Sequence, residues 1–170
     1  RKKIIIIGHA ALDFIYRIED FPIGPTKLKA LEHITSGGGM AANAAATAAK
    51  LNANVTLWSR IGNDPAGSLI CSELQSYGIN TQSIQIFDQS RSATSAILVD
   101  TRGERCVVSE DDHEMPMDTA WIPLEQISDA LVVLSDLSWL EGTYVVFHEA
   151  RKRNIPTLVD VDLESGHLLE

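Results

Sequence analysis

The stretch Gly37-Gly38-Gly39-Met40-Ala41-Ala42-Asn43-Ala44-Ala45-Ala46 has the residue types and spacing of a ligand site. Three consecutive glycines let a ligand approach the backbone closely, and the alanines that follow favour a helix lying close to a sheet. The first N–H groups of such a helix lack intrahelical partners, which suits an anionic or polyhydroxylated small molecule. Asn43, about one turn into the helix, adds a side-chain donor and acceptor. The alternative is a glycine turn before a tightly packed alanine helix that binds nothing.

Three carboxylates follow apolar runs that predict strands. Asp136 comes after the run 131–134, and Asp160 and Asp162 alternate at the end of the run 157–161, which places both on one face. Ligands of open α/β sheets bind at the carboxyl ends of the strands, so all three positions favour a site. Mg²⁺ prefers few protein carboxylates together with water and phosphate, which makes Asp160 and Asp162 candidates for helping to hold it through water. Capping of a following helix explains these two residues nearly as well.

Other residue types that bind metals do not form a recognisable set. The five histidines have no zinc-ligand spacing, and the acidic cluster at 110–114 lacks the glycine turn of a calcium loop. Cys71 and Cys106 are far apart, which indicates reduced thiols and a cytoplasmic protein, not a disulfide framework. We therefore expect no zinc site and no dedicated metal cluster.

Alternating strands and helices must position these groups. Continuous apolar runs predict buried strands of a parallel sheet at 4–7, 55–61, 130–134 and 157–161. Helices are predicted at 41–51, between Asp64 as N-cap and Gly78 at the C-terminal end, and at about 141–153. This order implies βαβ units and an α/β fold.

Two stretches interrupt the alternation. Residues 14–35 contain two proline turns before a possible strand, and residues 91–109 predict a β-hairpin with Gly103 in its turn. We expect both to form a small β subdomain flanking the site. The α/β core is then built from 1–13, 36–90 and 110–170.

Composition argues against several classes of function. A formal net charge of −9 makes the chain a poor candidate for binding nucleic acid. No apolar run reaches membrane-spanning length and no signal-peptide segment opens the sequence, so neither a membrane partner nor export is expected. A nicotinamide site requires Gly-x-Gly-x-x-Gly after the first strand, whereas this turn is Gly8-His9-Ala10-Ala11-Leu12-Asp13, with one glycine.

Four motifs, in this order, resemble the N-terminal portion of the ribokinase-like (PfkB-type) carbohydrate kinases. They are the opening strand with Gly8–Asp13, the segment Gly38–Asn43, the helix entry at 61–67 closing at 77–79, and the hairpin at 94–108. The nearest likeness is to sulfofructose kinases and related sugar kinases. The resemblance implies a mainly parallel sheet flanked by helices, a small β-sheet lid, and transfer of the ATP γ-phosphate to a sugar hydroxymethyl group with Mg²⁺.

The resemblance also implies roles for single residues. Asp13 accepts hydrogen bonds from sugar hydroxyls, Gly38 and Gly39 present their backbone to the sugar, and Asn43 reaches another hydroxyl. A carboxylate can accept from two adjacent hydroxyls at once, and such charge-assisted bonds are the stronger kind. The alternatives are that Asp13 caps the turn after the first strand and that Asn43 bonds to a nearby loop.

Four further positions bear on the identity of the sugar. Met40 stands where many relatives have lysine, which suggests a less hydrophilic patch of substrate. Lys27, in the expected lid, is a candidate contact for a phosphate or sulfonate on the sugar, and otherwise a solvated surface residue. Arg91 and Arg105 have the same two interpretations.

The second signature of the family, Gly-Ala-Gly-Asp, and its Asn-x-x-Glu motif do not occur in these 170 residues. The resemblance therefore implies the sugar-binding part of a longer kinase that is inactive by itself, with the C-terminal part of the fold missing and the catalytic base beyond residue 170. A non-catalytic sugar-binding or regulatory relative is the alternative. Relatives often dimerise through the lid, so a homodimer is also expected.

Overall fold

Two β-sheets and three α-helices make up the part of the chain that the computed structural model describes, residues 3–111 and 114–161. The strands are β1 (Lys3–Ile7), β2 (Ala11–Arg17), β3 (Glu32–Gly38), β4 (Val55–Gly62), β5 (Ile84–Phe87), β6 (Ala93–Val99), β7 (Arg105–Glu110), β8 (Ala130–Ser135) and β9 (Thr157–Val159). The helices are α1 (Met40–Lys50), α2 (Pro65–Ser76) and α3 (Leu140–Lys152), with a 3₁₀ helix at Leu124–Asp129. None of the described helices has the length and apolar character needed to cross a membrane.

The larger sheet is parallel throughout and has the order β5-β4-β1-β8-β9. Its central strand β1 is buried on both faces, as the isoleucine run predicts. Ile6 packs into a cluster with residues of α1 and α2, whereas Ile5 and Ile7 pack into a second cluster with residues of α3. A parallel sheet covered by helices on both faces is confirmed.

The smaller sheet, which we call the lid, has the order β3-β2-β6-β7. β6 and β7 form the predicted hairpin, and β2 pairs antiparallel with β3. β2 and β6 run parallel to each other, a pairing that no local sequence pattern predicts. The outer strands of the lid are open to solvent, since every residue of β7 and the first four residues of β3 are exposed.

The lid strands extend further along the chain than the segments 14–35 and 91–109. β2 begins at Ala11 and β3 continues to Gly38, so Asp13 lies within the lid sheet and not at the end of a core strand. The reason is hydrogen bonding, because Asp13 pairs with Ser36 on one side and with Ser95 on the other. The chain crosses from the larger sheet to the lid within the few residues between Ile7 and Ala11.

Asp64 caps α2, as the sequence predicts. Its Oδ1 accepts from the backbone N–H of Gly67 at 2.7 Å and from Oγ of Ser92 at 2.7 Å, while Oδ2 accepts from the N–H of Ser92 at 2.8 Å. Partial burial by itself would raise the pKa of Asp64, but the hydrogen bonds from Ser92 and Gly67 outweigh it and lower that pKa below its ordinary value. Asp64 therefore joins the start of α2 to the beginning of β6.

We predict that Asp64→Ala lowers the free energy of unfolding by about 1–2 kcal/mol at neutral pH, because a helix cap is lost. The folded-state pKa is lowered, so this stabilisation is present above the ordinary pKa and disappears as the pH falls through the lower one. Urea titrations at several pH values should show the difference between wild type and variant shrinking below about pH 4. Asp129→Ala, an exposed position, is the control, and a difference independent of pH would contradict the assignment.

Candidate functional site

A buried carboxylate, that of Asp136 just after β8, joins three segments at the carboxyl edge of the larger sheet. Oδ2 accepts from the backbone N–H of His9 at 2.8 Å and from that of Ala41 at 2.9 Å. Oδ1 accepts from the N–H and the Oγ of Ser138 at 3.0 and 2.6 Å. Asp136 is 1% exposed, so its carboxylate accepts hydrogen bonds from groups of the protein itself. The carboxylate fixes the turn after β1 against the N-terminus of α1.

The N-terminus of α1 is therefore more occupied than the sequence suggests. Besides the bond from Ala41 to Asp136, the N–H of Ala42 donates to the carbonyl of His9 at 3.1 Å. The expectation that the first N–H groups of α1 point outward to an anion is wrong at these two positions. A side chain about 95 residues away supplies the negative charge that a helix N-terminus favours.

Glycines allow these segments to approach each other closely. Gly39, the N-cap of α1, has φ of 90°, and a Cβ there would come within 2.6 Å of the His9 carbonyl oxygen. Gly8 has φ of 148°, and a Cβ there would overlap the carboxylate of Asp136. Both positions exclude larger residues on steric grounds as well as by backbone conformation.

Asp13 and Gly38 are in contact, as two of the predicted sugar-binding residues should be. A Cβ at Gly38 would overlap the Asp13 carboxylate, so the carboxylate lies directly against that glycine. Leu12 and Phe14 pack toward the core cluster that includes α2, which leaves Asp13 on the opposite face of the lid. Within the described part of the chain, no group donates a hydrogen bond to the Asp13 carboxylate. It is therefore available to accept from a ligand.

Asn43 is exposed in the first turn of α1 and borders two depressions. One is a narrow cleft of about 110 Å³ toward α2, shared with Gly37, Gly38 and Glu73. The other is an open groove of about 520 Å³, shared with Met40 and Asp160. Asp13 lines neither depression. Gly38 connects the two residues, because it contacts the Asp13 carboxylate and lines the narrow cleft beside Asn43.

The remaining predicted positions lie apart. Lys27 is exposed in the connection between β2 and β3. Asp160 is exposed just beyond β9, where its N–H donates to the Ser135 carbonyl at 2.8 Å, and Asp162 lies outside the described residues. Across residues 3–111 and 114–161, no group of three or more His, Cys, Asp or Glu side chains is placed to hold a metal ion.

Two features of the site were not predicted from the sequence. Oε2 of Glu73 accepts from the N–H of Gly37 at 2.6 Å, which ties the glycine segment to α2. Arg60, at the carboxyl end of β4, lines a cavity of about 370 Å³ together with Gly8, His9 and Arg91. Arg60 is the single arginine of an apolar strand, which is a signal visible in the sequence. The cavity that it lines is formed by residues distant in the sequence, and spacing does not predict it.

Comparison with known proteins assigns this architecture to a family. The model of the pfkB family carbohydrate kinases matches residues 1–165. A relative from Halopiger xanaduensis, named ATP-dependent ribose-1-phosphate kinase, is 30% identical over 109 residues, which are 64% of this chain and 37% of that protein. The ribokinase of Bacillus subtilis is 27% identical over 134 residues, covering 78% of this chain and 46% of its own.

Solved structures agree with the fold. A crystal structure of a candidate ribokinase from Agrobacterium tumefaciens has a TM-score of 0.88 at 32% identity, and the match covers 93% of this chain and 52% of that one. The ribokinase of Arabidopsis thaliana, solved with ribose and ATP, has a TM-score of 0.81 at 21% identity and covers 93% and 53% respectively. The chain thus spans about half the length of these structures, and less than half of the two relatives above.

We predict that Asp136→Ala lowers the free energy of unfolding by about 3 kcal/mol or more, since it leaves several buried donors without a partner at about 1–3 kcal/mol each. Asp160→Ala, which removes an exposed carboxylate, should change it by less than about 0.5 kcal/mol. Urea unfolding followed by circular dichroism measures both variants. Equal losses in the two variants would contradict the role given to Asp136.

Proposed function

Because the chain belongs to the pfkB family of carbohydrate kinases, we propose that it forms the sugar-binding portion of an ATP-dependent sugar kinase. In this proposal the complete protein transfers the γ-phosphate of ATP to a hydroxymethyl group of a sugar. The observation that carries the proposal is the contact between the Asp13 carboxylate and Gly38, directly ahead of α1. This contact places an anionic acceptor beside backbone that carries no side chain, which suits a ligand rich in hydroxyl groups.

Asp13 would accept hydrogen bonds from two sugar hydroxyls. Gly38 and Gly39 would let the sugar lie against the backbone, and Asn43 would reach a further hydroxyl from the first turn of α1. Asp136 contributes indirectly, since it holds the turn after β1 against α1 and so sets the spacing between β2 and that helix. Lys27 lies on a connection of the lid and would approach the sugar only if that connection folds over it.

The nucleotide and Mg²⁺ are part of the proposal. Asp160 lines the open groove next to α1 together with Asn43, and among the described residues no other predicted carboxylate lines that groove. A single exposed carboxylate does not make a metal site, so the described residues do not fit Mg²⁺ by themselves. Mg²⁺ bound chiefly by phosphates and water would need no more than this from the protein. The catalytic base is expected outside the 170 residues, and this portion is expected to be inactive without it.

A non-catalytic sugar-binding relative is the competing function. Both functions predict sugar binding through Asp13, but only the kinase predicts ADP release from the complete protein. A cytoplasmic location belongs to the proposal and is supported by two unpaired thiols, Cys71 and Cys106.

The lid also offers a surface for a second copy of the chain. Across its four strands, a row of paired apolar residues lies on the face that carries Asp13: Ile34, Ile15, Ile97 and Val107. Ile34 and Val107, at the two ends of the row, are 43% and 49% exposed. Because exposed apolar rows favour association, we propose a homodimer in which the lids pack together.

We predict that Asp13→Asn lowers kcat/KM for the sugar about 100-fold or more, because charge-assisted hydrogen bonds of about 1.5–3 kcal/mol each are lost. ADP release from the complete protein, measured across ketoses, aldoses and nucleosides, gives the rates. Asp129→Asn is the exposed control. Turnover that is unchanged in Asp13→Asn would contradict the site, and absence of turnover by wild type would favour the non-catalytic alternative.

A second prediction concerns the fit of the sugar against the backbone. Gly38→Ala places a methyl group where the Asp13 carboxylate lies, so sugar affinity should fall at least 10-fold while the protein still folds. Gly24→Ala is the matched control, because a Cβ at Gly24 meets nothing within 4 Å. Calorimetric titration with the best sugar substrate measures both. Equal affinities in the two variants would mean that Asp13 does not act beside Gly38.

For the dimer, we expect Val107→Glu to convert the protein to a monomer, because a buried unpaired charge opposes association. Val108→Glu is the control, since Val108 points to the opposite face of β7 and is 66% exposed. Sedimentation velocity distinguishes the two outcomes. A dimer that survives Val107→Glu would place the interface elsewhere.

A further inference from the structure

Two carboxylates contact successive glycines at the end of β3. A Cβ at Gly37 would lie 3.3 Å from the carboxyl carbon of Glu73. A Cβ at Gly38 would overlap the carboxylate of Asp13. Because successive residues of a strand present opposite faces, Glu73 contacts this segment from the side of α2 and Asp13 contacts it from the other side. The backbone that the sugar is proposed to approach therefore lies between these two side chains.

The contact between Glu73 and Gly37 includes a hydrogen bond at the edge of the lid. β3 is the outermost strand on its side of the lid and pairs only with β2. The N–H of Gly37 donates to Oε2 of Glu73 at 2.6 Å, and an ionised acceptor makes the stronger kind of hydrogen bond. Glycine loses more conformational freedom on folding than any other residue, and this segment has three in succession. Glu73 thus fixes a segment whose composition favours flexibility.

The side chain of Glu73 is itself held in place. The hydroxyl of Tyr77, one helical turn further along, donates to Oε1 at 3.3 Å, and Oγ of Ser36 lies 3.5 Å from the same oxygen. Nζ of Lys50, in the last turn of α1, lies over the ring of Tyr77 at 4.6 Å from the centroid. All four side chains line the narrow cleft of about 110 Å³. The carboxylate therefore has a defined position from which to hold β3.

α2 is attached to both strands that flank β2 in the lid. At the start of the helix, Asp64 bonds to Ser92, directly before β6. Further along the helix, Glu73 bonds to the end of β3. β2 lies between these strands and packs Leu12 and Phe14 toward the cluster that includes residues of α2. The helix thus supports, from behind, the three strands around the proposed sugar site.

From these contacts we propose that Glu73 is a positioning residue for sugar binding. Its carboxylate holds Gly37 to α2 and thereby sets the distance between the backbone of Gly38 and the carboxylate of Asp13. In this role Glu73 does not touch the sugar, but it increases the fraction of molecules in which the sugar contacts are already in place. The inference rests on the proposed function, because Asp13 and Gly38 are sugar contacts only within it.

Loss of this tether has a specific kinetic consequence. When the binding-competent conformation is only partly populated, the apparent dissociation constant rises by the inverse of the populated fraction. A saturating sugar restores the competent conformation, so KM increases while kcat is retained. A purely structural defect instead lowers the amount of folded enzyme, which reduces kcat and leaves KM unchanged. The separate values of KM and kcat therefore distinguish positioning from stability.

The experiment uses the complete protein as wild type, Glu73→Ala and Glu73→Gln, with Glu125→Ala, at an exposed carboxylate of the 3₁₀ helix, as the matched control. Ribose, fructose, fructose 6-phosphate and adenosine are titrated calorimetrically, and ADP release gives KM and kcat for each compound that binds. We expect Glu73→Ala to raise the dissociation constant and KM at least about 10-fold, with kcat within about threefold of wild type.

Rescue by glutamine is the second part of the expected result. Glu73→Gln keeps an acceptor for the N–H of Gly37, so its KM should stay within about threefold of wild type, as should that of Glu125→Ala. Unchanged affinity in Glu73→Ala overturns the proposal. An equal loss of affinity in Glu73→Ala and Glu73→Gln, or a lower kcat at unchanged KM, overturns it as well.

Amide hydrogen exchange tests the tether without a sugar. Resolved by NMR, the N–H of Gly37 should exchange at least about 10-fold faster in Glu73→Ala than in wild type or Glu73→Gln, and equal rates overturn the proposal. Failure of the proposed function is recognised separately. If wild type binds none of the four compounds, both the sugar site and the positioning role are refuted. If Asp13→Asn weakens binding and Glu73→Ala does not, the proposed function stands and the positioning role is refuted.

Discussion

The structure at the site depends on one buried carboxylate that neutralises a helix N-terminus from within. Asp136 accepts from His9 and Ala41 through the same oxygen, so the turn after β1 and the start of α1 cannot move apart without exposing unpaired polar groups. Leaving such groups unsatisfied is costly in a region that excludes water. The N-terminus of α1 is consequently fixed at the edge of the site, and an incoming anion would have to displace the Asp136 carboxylate from the N–H of Ala41.

Groups of different chemistry lie near the turn after β1. Toward the lid, the Asp13 carboxylate and the backbone at Gly38 offer acceptors and close approach, as hydroxyl groups require. Beside the turn after β1, Arg60 and Arg91 line a cavity together with Asp111, and Arg91 is ion-paired with Glu110.

How much the sequence predicted depends on the range of each interaction. The isoleucine run of β1, the hairpin and the N-cap Asp64 follow from local patterns, and the structure confirms them. Asp13 was predicted as a site residue, but its place within a lid strand depends on pairing with segments over 20 residues away. The bonds of Asp136 to His9 and Ala41 and the stacking of Arg60 on Trp139 span 79 to 127 residues and could not be deduced from spacing.

The most direct test is a crystal structure of the complete protein with a sugar bound. We predict that hydroxyl groups of the sugar lie within hydrogen-bond distance of the Asp13 carboxylate. We also predict that Asp136 remains bonded to the N–H groups of His9 and Ala41. A sugar bound away from Asp13, or an Asp136 carboxylate displaced from the N-terminus of α1, would contradict these predictions.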